Sequence, residues 1–316
     1  MRAAVTDLTA GTFDEAEAAA FLVALRQKGE AASEIAAAVE VLRGSMIRLQ
    51  PPVRPVLDTC GTGGDGIGTF NISTAAALVV AGTGIPVVKH GNRSVSSRCG
   101  SADVLAALGL PVESGPTWAQ KALERNGFAF CFAPHFHPAL AKIAALRRKL
   151  RVRTIFNLIG PLLNPAGAER QLLGVGRREL LDPMAGAMAR LGTAGAYLVC
   201  GKDGLDEVSL SGPTLVRHVR DGVVHVLEWE PDHFGLEPVA LSDLIADGPT
   251  ASAAMVHSVL AGEDGPCRRI VLANAAAALL AADRVRSLPD GVREATRSID
   301  SGAAKRVLDG MARSGE

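Results

Sequence analysis

The feature that most constrains this 316-residue chain is a repeated grammar that begins at Val56. A short apolar run is followed by a glycine turn and then by an alanine-rich helix. Val56-Leu57 leads to Gly61 and a helix over 74–81; Val87-Val88 leads to Lys89 and a helix over 101–108, with Ser101 as its expected cap. Residues 194–200 read as a further strand ahead of Gly201 and Gly204, and residues 269–272 as either another strand or the start of a helix. Strands alternating with helices must have helices covering the sheet, so the expected class is α/β, with a mainly parallel central sheet. Ligands of such sheets sit beyond the carboxyl ends of the strands. Chemistry is therefore expected in the loops that directly follow the apolar runs.

The flanks read differently. Residues 1 to 50 are helical in pattern: a helix over 13–27 closed by Gly29, then one over 34–43 capped by Ser33, before Pro51, Pro52 and Pro55 mark a linker. Residues 116–150 read as helical again, with apolar periodicity around 118–125 and 138–150. Residues 219–229 read as a hairpin turning at Asp221-Gly222, and 273–282 and 303–312 as two more helices. The expected division is a small helical domain over 1–52, completed by helices near 134–152, and a large α/β domain over 53–316.

Composition excludes several classes of partner. Lysine plus arginine number 33 and aspartate plus glutamate 33, so the chain lacks the basic excess of a nucleic-acid or membrane-surface binder. Aromatic residues are 4%, with a single tyrosine, too few for a base-stacking platform. Cys60, Cys99, Cys131, Cys200 and Cys267 are scattered without a C-x-x-C pair, as expected of reduced thiols in a cytoplasmic protein. No apolar signal segment opens the chain, and the longest apolar stretch, 75–88, is interrupted by Gly82, Thr83, Gly84 and Pro86.

Three loops carry the chemistry. The first is Asp58-Thr59-Cys60-Gly61-Thr62-Gly63-Gly64-Asp65-Gly66, followed by Thr69-Phe70-Asn71-Ile72-Ser73-Thr74. Its glycines allow close backbone approach, its N–H groups can nest an anion, and the next helix adds a positive N-terminus and hydroxyl donors. It is not a Walker loop, because no Gly-Lys-Ser/Thr ends it. The second is Lys89-His90-Gly91-Asn92-Arg93-Ser94-Val95-Ser96-Ser97, a dense donor set after a buried strand. The third, Asp203-Gly204-Leu205-Asp206-Glu207, offers adjacent carboxylates to a hard cation. Acidic residues are absent between Asp65 and Asp103, which holds Lys89, Arg93 and Arg98, and between Glu124 and Glu169, which holds seven cations from Arg125 to Arg153. In the second stretch most cations read as a solvated helix face, with one or two free to reach a ligand. There is no nucleophile elbow and no H-E-x-x-H; His135 and His137 read as structural or binding residues.

These loops, together with Arg153-Thr154-Ile155-Phe156-Asn157 and Gly160-Pro161-Leu162-Leu163-Asn164-Pro165, occur in the order seen in the anthranilate phosphoribosyltransferase family, which the chain resembles from about Gly11 onward. The resemblance implies a fold shared with pyrimidine nucleoside phosphorylases. It implies transfer of phosphoribosyl from phosphoribosyl pyrophosphate (PRPP) to the amine of anthranilate, with release of pyrophosphate, in tryptophan biosynthesis. Carried over by position, PRPP is expected to meet Gly61, Gly64, Asp65, Thr69, Asn71, Ile72, Ser73, Thr74, Lys89, His90, Gly91, Asn92, Arg93, Ser94, Val95, Ser96, Ser97 and Ser101. Anthranilate is expected along Gly61, His90, Asn92, Pro134, Arg147 and Gly160, with Arg147 facing its carboxylate. Ser73, Asp206 and Glu207 are expected to hold Mg²⁺, two ions accompanying PRPP. The resemblance also implies a homodimer and no nucleic-acid or membrane partner. Relatives usually carry one more helix before the segment matching 5–11, which helps form their dimer interface. Arg151 stands where many relatives have Gly, and Cys60 where many have Val. No side chain is expected to be an indispensable proton carrier, because an aromatic amine is neutral and nucleophilic at neutral pH. A nucleoside phosphorylase on this fold would lack the Asp206-Glu207 pair, and a nucleic-acid-binding paralogue would show a basic excess.

Overall fold

The computed structural model describes residues 1–94, 98–150 and 152–313; Val95, Ser96, Ser97 and Arg151 lie outside the described residues. The chain opens with α1 (Arg2–Ala10), α2 (Glu15–Lys28) and α3 (Ala32–Ser45). A reciprocal pair starts α2: Glu17 N donates to Asp14 Oδ1 at 2.8 Å, and Asp14 N to Glu17 Oε2 at 3.1 Å. Gly29, at φ +84°, ends it. Ser33 does not cap α3 as expected. Ala31 is extended, the helix begins at Ala32, and Ala31 N is satisfied at 2.9 Å by Glu34 Oε2.

After the proline linker come β1 (Leu57–Gly61), α4 (Ile72–Gly82), β2 (Val87–Gly91), α5 (Ser101–Ala107), α6 (Gly115–Asn126), β3 (Phe128–Phe132), α7 (Ala133–Phe136), α8 (Pro138–Leu150) and α9 (Ile155–Leu158). Then follow β4 (Arg170–Gly174), α10 (Leu181–Arg190), β5 (Gly195–Gly201), β6 (Thr214–Arg220), β7 (Val223–Trp229), α11 (Pro249–Leu260), α12 (Pro266–Ala281), α13 (Leu288–Asp300) and α14 (Ala303–Arg313). Residues 269–272 thus belong to a helix. Ser101 is the first residue of α5 rather than its cap; Asp103 Oδ2 instead accepts from Gly100 N and Ser94 N, each at 2.9 Å. The helical reading of 116–150 is corrected by β3, whose five residues are all buried. A strand buried on both faces shows no alternation and reads like a core helix.

The sheet runs β3-β2-β1-β4-β5-β6-β7. The first five strands are mutually parallel, and β6 and β7 form the antiparallel hairpin, turned at Asp221 (φ +51°) and Gly222 (φ +76°). Strand order therefore reverses between β1 and β4, the crevice position for a ligand in an open α/β sheet. Each face of the sheet has its own core. On β5, Tyr197 and Val199 face α4 and α11–α14, whereas Ala196, Leu198 and Cys200 face α10 and, through it, α1–α3. The apolar stretch of 75–81 is wholly buried in α4. Among the described residues no helix is long and apolar enough to cross a membrane, and none of the five cysteines forms a disulfide.

Candidate active site

A cleft of about 300 Å³ opens at the carboxyl ends of β1 and β2. The glycine loop forms one wall. Gly64 (φ +81°) adopts a backbone only glycine accepts readily, and any side chain there would overlap the Arg153 guanidinium, which donates to Gly63 O at 3.2 Å. The acidic turn after β5 closes the cleft from below. β1 and β4 both end in glycine, in register at Gly61 and Gly174. A Cβ on Gly174 would overlap the Asp206 carbonyl oxygen, and one on Gly61 would lie 2.8 Å from Asp206 Oδ2. Bare backbone at two strand ends is what lets Asp206 and Glu207 reach the cleft.

Most of the expected ligand set converges here. Gly61, Gly64, Asp65, Thr69, Asn71, Ile72, Ser73, Lys89, His90, Gly91, Asn92, Arg93, Ser94, Ser101, Asp206 and Glu207 all line the cleft. Thr74 does not; it is fully buried beneath it and its hydroxyl has no partner. Val95, Ser96 and Ser97 fall outside the described residues. The Arg93 guanidinium is engaged by Asp103 at 2.9 Å and Glu113 at 2.5 Å. Pro134, Arg147 and Gly160 are not in the lining. Pro134 is exposed on α7, and Arg147 lies half-buried on α8 with its guanidinium carbon 5.9 Å from the Phe156 ring centroid.

Lys89 forms the floor rather than a protruding finger. It is 1% exposed, and its Nζ donates to Thr59 O at 2.5 Å and Ser73 Oγ at 3.3 Å. Burial holds its pKa below the usual lysine range, opposed by Asp58, Cys60, Glu207 and Asp206. Asp58, equally buried, accepts from Asn164 Nδ2 at 2.8 Å, and burial raises it to about 6. Asn164 Nδ2 also donates to Val88 O at 2.7 Å, tying the 160–165 segment under β1 and β2.

His90 is paired in a way the sequence does not show. Its Nδ1 lies 3.1 Å from Gly160 O, which only accepts, so that nitrogen carries the proton. In the neutral ring Nε2 then carries a lone pair, and it faces His137 Nε2 at 3.1 Å, with the roles in that contact set by the tautomer of His137, which also has the Leu163 carbonyl as a partner. Burial is the leading cause that pushes His90 down to about 3 and His137 to about 4, so both rings are neutral at pH 7. Both nitrogens of His90 thus face protein atoms, Nδ1 the Gly160 carbonyl and Nε2 the His137 ring.

The carboxylates suit a divalent ion that arrives with phosphate. Burial, then Asp65, raises Asp206 to about 7; burial, then Asp206, raises Glu207 to about 8. Glu207 Oε1 accepts from Ser73 N at 3.0 Å. Among the described residues no group of three or more histidine, cysteine, aspartate and glutamate side chains is arranged to chelate a metal unaided. A site with two repelling buried carboxylates and an open anion cradle opposite them fits Mg²⁺, which keeps waters and takes substrate phosphates as ligands.

The cleft also holds residues outside the expected set: Cys60, Thr62, Gly63, Gly68, Arg98, Arg153 and Asn157 among them. The acid-free segment points to Arg98, and the shared motif to Arg153 and Asn157. Cys60, 6% exposed, carries no such signal; its Sγ accepts from Gln171 Nε2 at 3.0 Å.

Comparison with known proteins agrees with this geometry. The helical bundle domain of the glycosyl transferase family matches residues 1–46, and its a/b domain matches 53–305. The anthranilate phosphoribosyltransferase of Symbiobacterium thermophilum is 48% identical over 309 residues, 98% of this chain and 91% of the relative. The crystal structure of the Thermus thermophilus enzyme of that name superposes with a TM-score of 0.93 at 43% identity, covering 99% of this chain and 94% of that one. The Saccharomyces cerevisiae enzyme has been solved with PRPP and Mg (TM-score 0.87, 33% identity) and with 4-fluoroanthranilate (TM-score 0.85, 32% identity); each match covers 95% of this chain and 85% of the yeast chain. With both family domains matched in order and relatives aligned almost end to end, the chain belongs to the anthranilate phosphoribosyltransferases, within the glycosyl transferase family.

Proposed function

We propose that this chain transfers the phosphoribosyl group of PRPP to the amine of anthranilate, releasing pyrophosphate, as a cytoplasmic step of tryptophan biosynthesis. The observation that carries the reading is the closure of the glycine loop and the α4 N-terminus over the Asp206-Glu207 pair, with Lys89 between them. In this reading the backbone N–H groups of the loop and the Ser73 hydroxyl cradle phosphate oxygens. Asn92, Ser94 and Ser101 extend the donors along β2 and α5, with Val95, Ser96 and Ser97 between them in sequence. Ser73, Asp206 and Glu207 hold Mg²⁺, in two ions, which supplies countercharge to the departing pyrophosphate. The Lys89 ammonium lies under the point where negative charge gathers.

Anthranilate approaches from the side of His90, Pro134, Arg147 and Gly160, and Arg147 meets its carboxylate. Its amine attacks without prior deprotonation. The placement of His90 supports this, since its Nδ1 faces Gly160 O and its Nε2 faces the His137 ring. Rate gain then rests on positioning and on charge stabilisation. We further read the chain as a small helical domain over 1–52, completed by helices near 134–152, with a large domain over 53–316, and as a homodimer. The separate family matches to 1–46 and 53–305 support that division.

Pyrophosphate release from PRPP tests the activity. Release that requires both anthranilate and Mg²⁺ supports it; release that proceeds equally well without anthranilate refutes it. A solution mass tests the dimer.

A further inference from the structure

A second cavity, of about 340 Å³, lies beside the cleft between the C-terminal end of α2, the segment that leads into α9, and the loop after β4. Arg26, Arg153 and Arg177 converge on it, against Glu30 and Glu179. Arg26 has no ion pair or side-chain hydrogen bond among the described residues. Arg177 has one loose pair, 3.7 Å to Glu179, and its Nε is buried with no hydrogen bond. Arg153 gives one bond, to Gly63 O. Thr154 also lines the cavity; it is 2% exposed and its Oγ1 is buried with no partner. Three guanidiniums so sparsely paired leave donors for an incoming acceptor. Burial, then the neighbouring charge of Arg177, holds the Arg153 pKa below the usual arginine range; Arg26 adds to the same effect, partly offset by Asp206 and Asp65.

The remaining lining is glycine, leucine and proline. Among the described residues no aromatic ring lines the cavity to sandwich a planar aromatic carboxylate, whereas several guanidiniums match the tetrahedral oxygens of a phosphate. We propose that this cavity is a second oxyanion site, selective for phosphate-type dianions, and that Arg153 links it to the cleft. Arg153 lines both spaces, and the loop that carries Arg177 is bonded to the glycine loop through Gly176 N and Thr62 Oγ1 at 3.0 Å. An anion that draws Arg153 toward Arg177 pulls it from Gly63 and loosens the wall of the cleft.

The binding half of this proposal stands without the transferase reading; the linkage half rests on it. Calorimetric titration with inorganic phosphate is expected to show two sites per wild-type chain. Arg177→Ala and Arg26→Gln, at half-exposed and exposed positions, are expected to weaken only one of them, by roughly tenfold or more each, since a charge-assisted hydrogen bond is lost. Equal thermal midpoints for the variants confirm that they fold. In turnover assays phosphate is expected to lower kcat and raise the KM for PRPP in the wild type, and only to raise KM in Arg177→Ala. Phosphate binding that neither Arg177→Ala nor Arg26→Gln weakens, or equal displacement of phosphate by benzoate, overturns the site. Identical inhibition patterns in both proteins overturn the linkage. Absence of any turnover instead refutes the transferase reading and leaves the calorimetry to decide the site.

Discussion

Replacing His137 by glutamine tests whether the buried histidine pair is neutral. Glutamine keeps an N–H that can donate to His90 Nε2 and removes one titrating ring from a position only 4% exposed. Burial holds His137 at about 4, against an ordinary value near 6.5. Between those values the unfolded chain binds the proton and the fold does not. Stability from this group is therefore fully present above pH 6.5 and is lost as pH falls toward 4. Integrating that difference from pH 8 to pH 5 gives a loss of about 2 kcal/mol for His137. His90, held at about 3, adds a similar loss in both proteins. Asp58, Asp206 and Glu207, all raised by burial, work in the opposite sense, because the fold keeps their protons to higher pH. The wild-type profile alone is thus a sum of opposing trends, and the informative quantity is the gap between wild type and His137→Gln at each pH. Urea unfolding followed by the fluorescence of Trp118 and Trp229 measures it. The variant is expected to be less stable at pH 8 by roughly 1–2 kcal/mol through lost packing. The gap is expected to close by about 2 kcal/mol at pH 5. A gap that stays constant across that range, within about 0.5 kcal/mol, would mean that His137 is charged in the fold, and the neutral pair would be wrong.

Three other substitutions probe the scaffold of the cleft. Gly174→Ala forces a methyl against the Asp206 carbonyl oxygen, so a destabilisation of roughly 1–3 kcal/mol in urea unfolding is expected, with turnover lost even where the fold survives. Glu207→Gln keeps an acceptor for Ser73 N but removes a charge; the Mg²⁺ concentration for half-maximal turnover is expected to rise by roughly tenfold or more, and an unchanged Mg²⁺ response would remove Glu207 from the metal site. Asn164→Ala strips the partners from Asp58 Oδ2, Val88 O and Ala166 N, all buried, and a loss of about 3 kcal/mol or more is expected in the same unfolding assay.

What could be read along the chain, and what could not, divides by range of contact. β5 and the hairpin at Asp221-Gly222 were legible because their signals are local: an apolar run in one, a turn dipeptide in the other. β4 was missed because Arg170 and Gln171 make it look polar, yet Gln171 is 5% exposed and spends its amide on Pro161 O and Cys60 Sγ. The loops of the cleft were legible as donor-rich segments after strands. Their third-dimension partners were not: Arg153 reaches Gly63 from 90 positions away, and His137 meets His90 because β3 lies beside β2 and delivers α7 and α8 to its end. Charge placement shows the same limit most clearly. The segment from 66 to 102 contains no acid, which suggests free cations. Among the described residues no carboxylate lies within salt-bridge distance of Lys89, because β2 buries it between Thr59 and Ser73. Arg93 does not, because Asp103 stands one residue beyond the end of that segment and the start of α5 folds it back onto the loop. Linear spacing counts charges by position along the chain, whereas pairing follows the turn that brings α5 back to β2, so an acid-free window identifies a site only where a strand holds the cation away from the next acid.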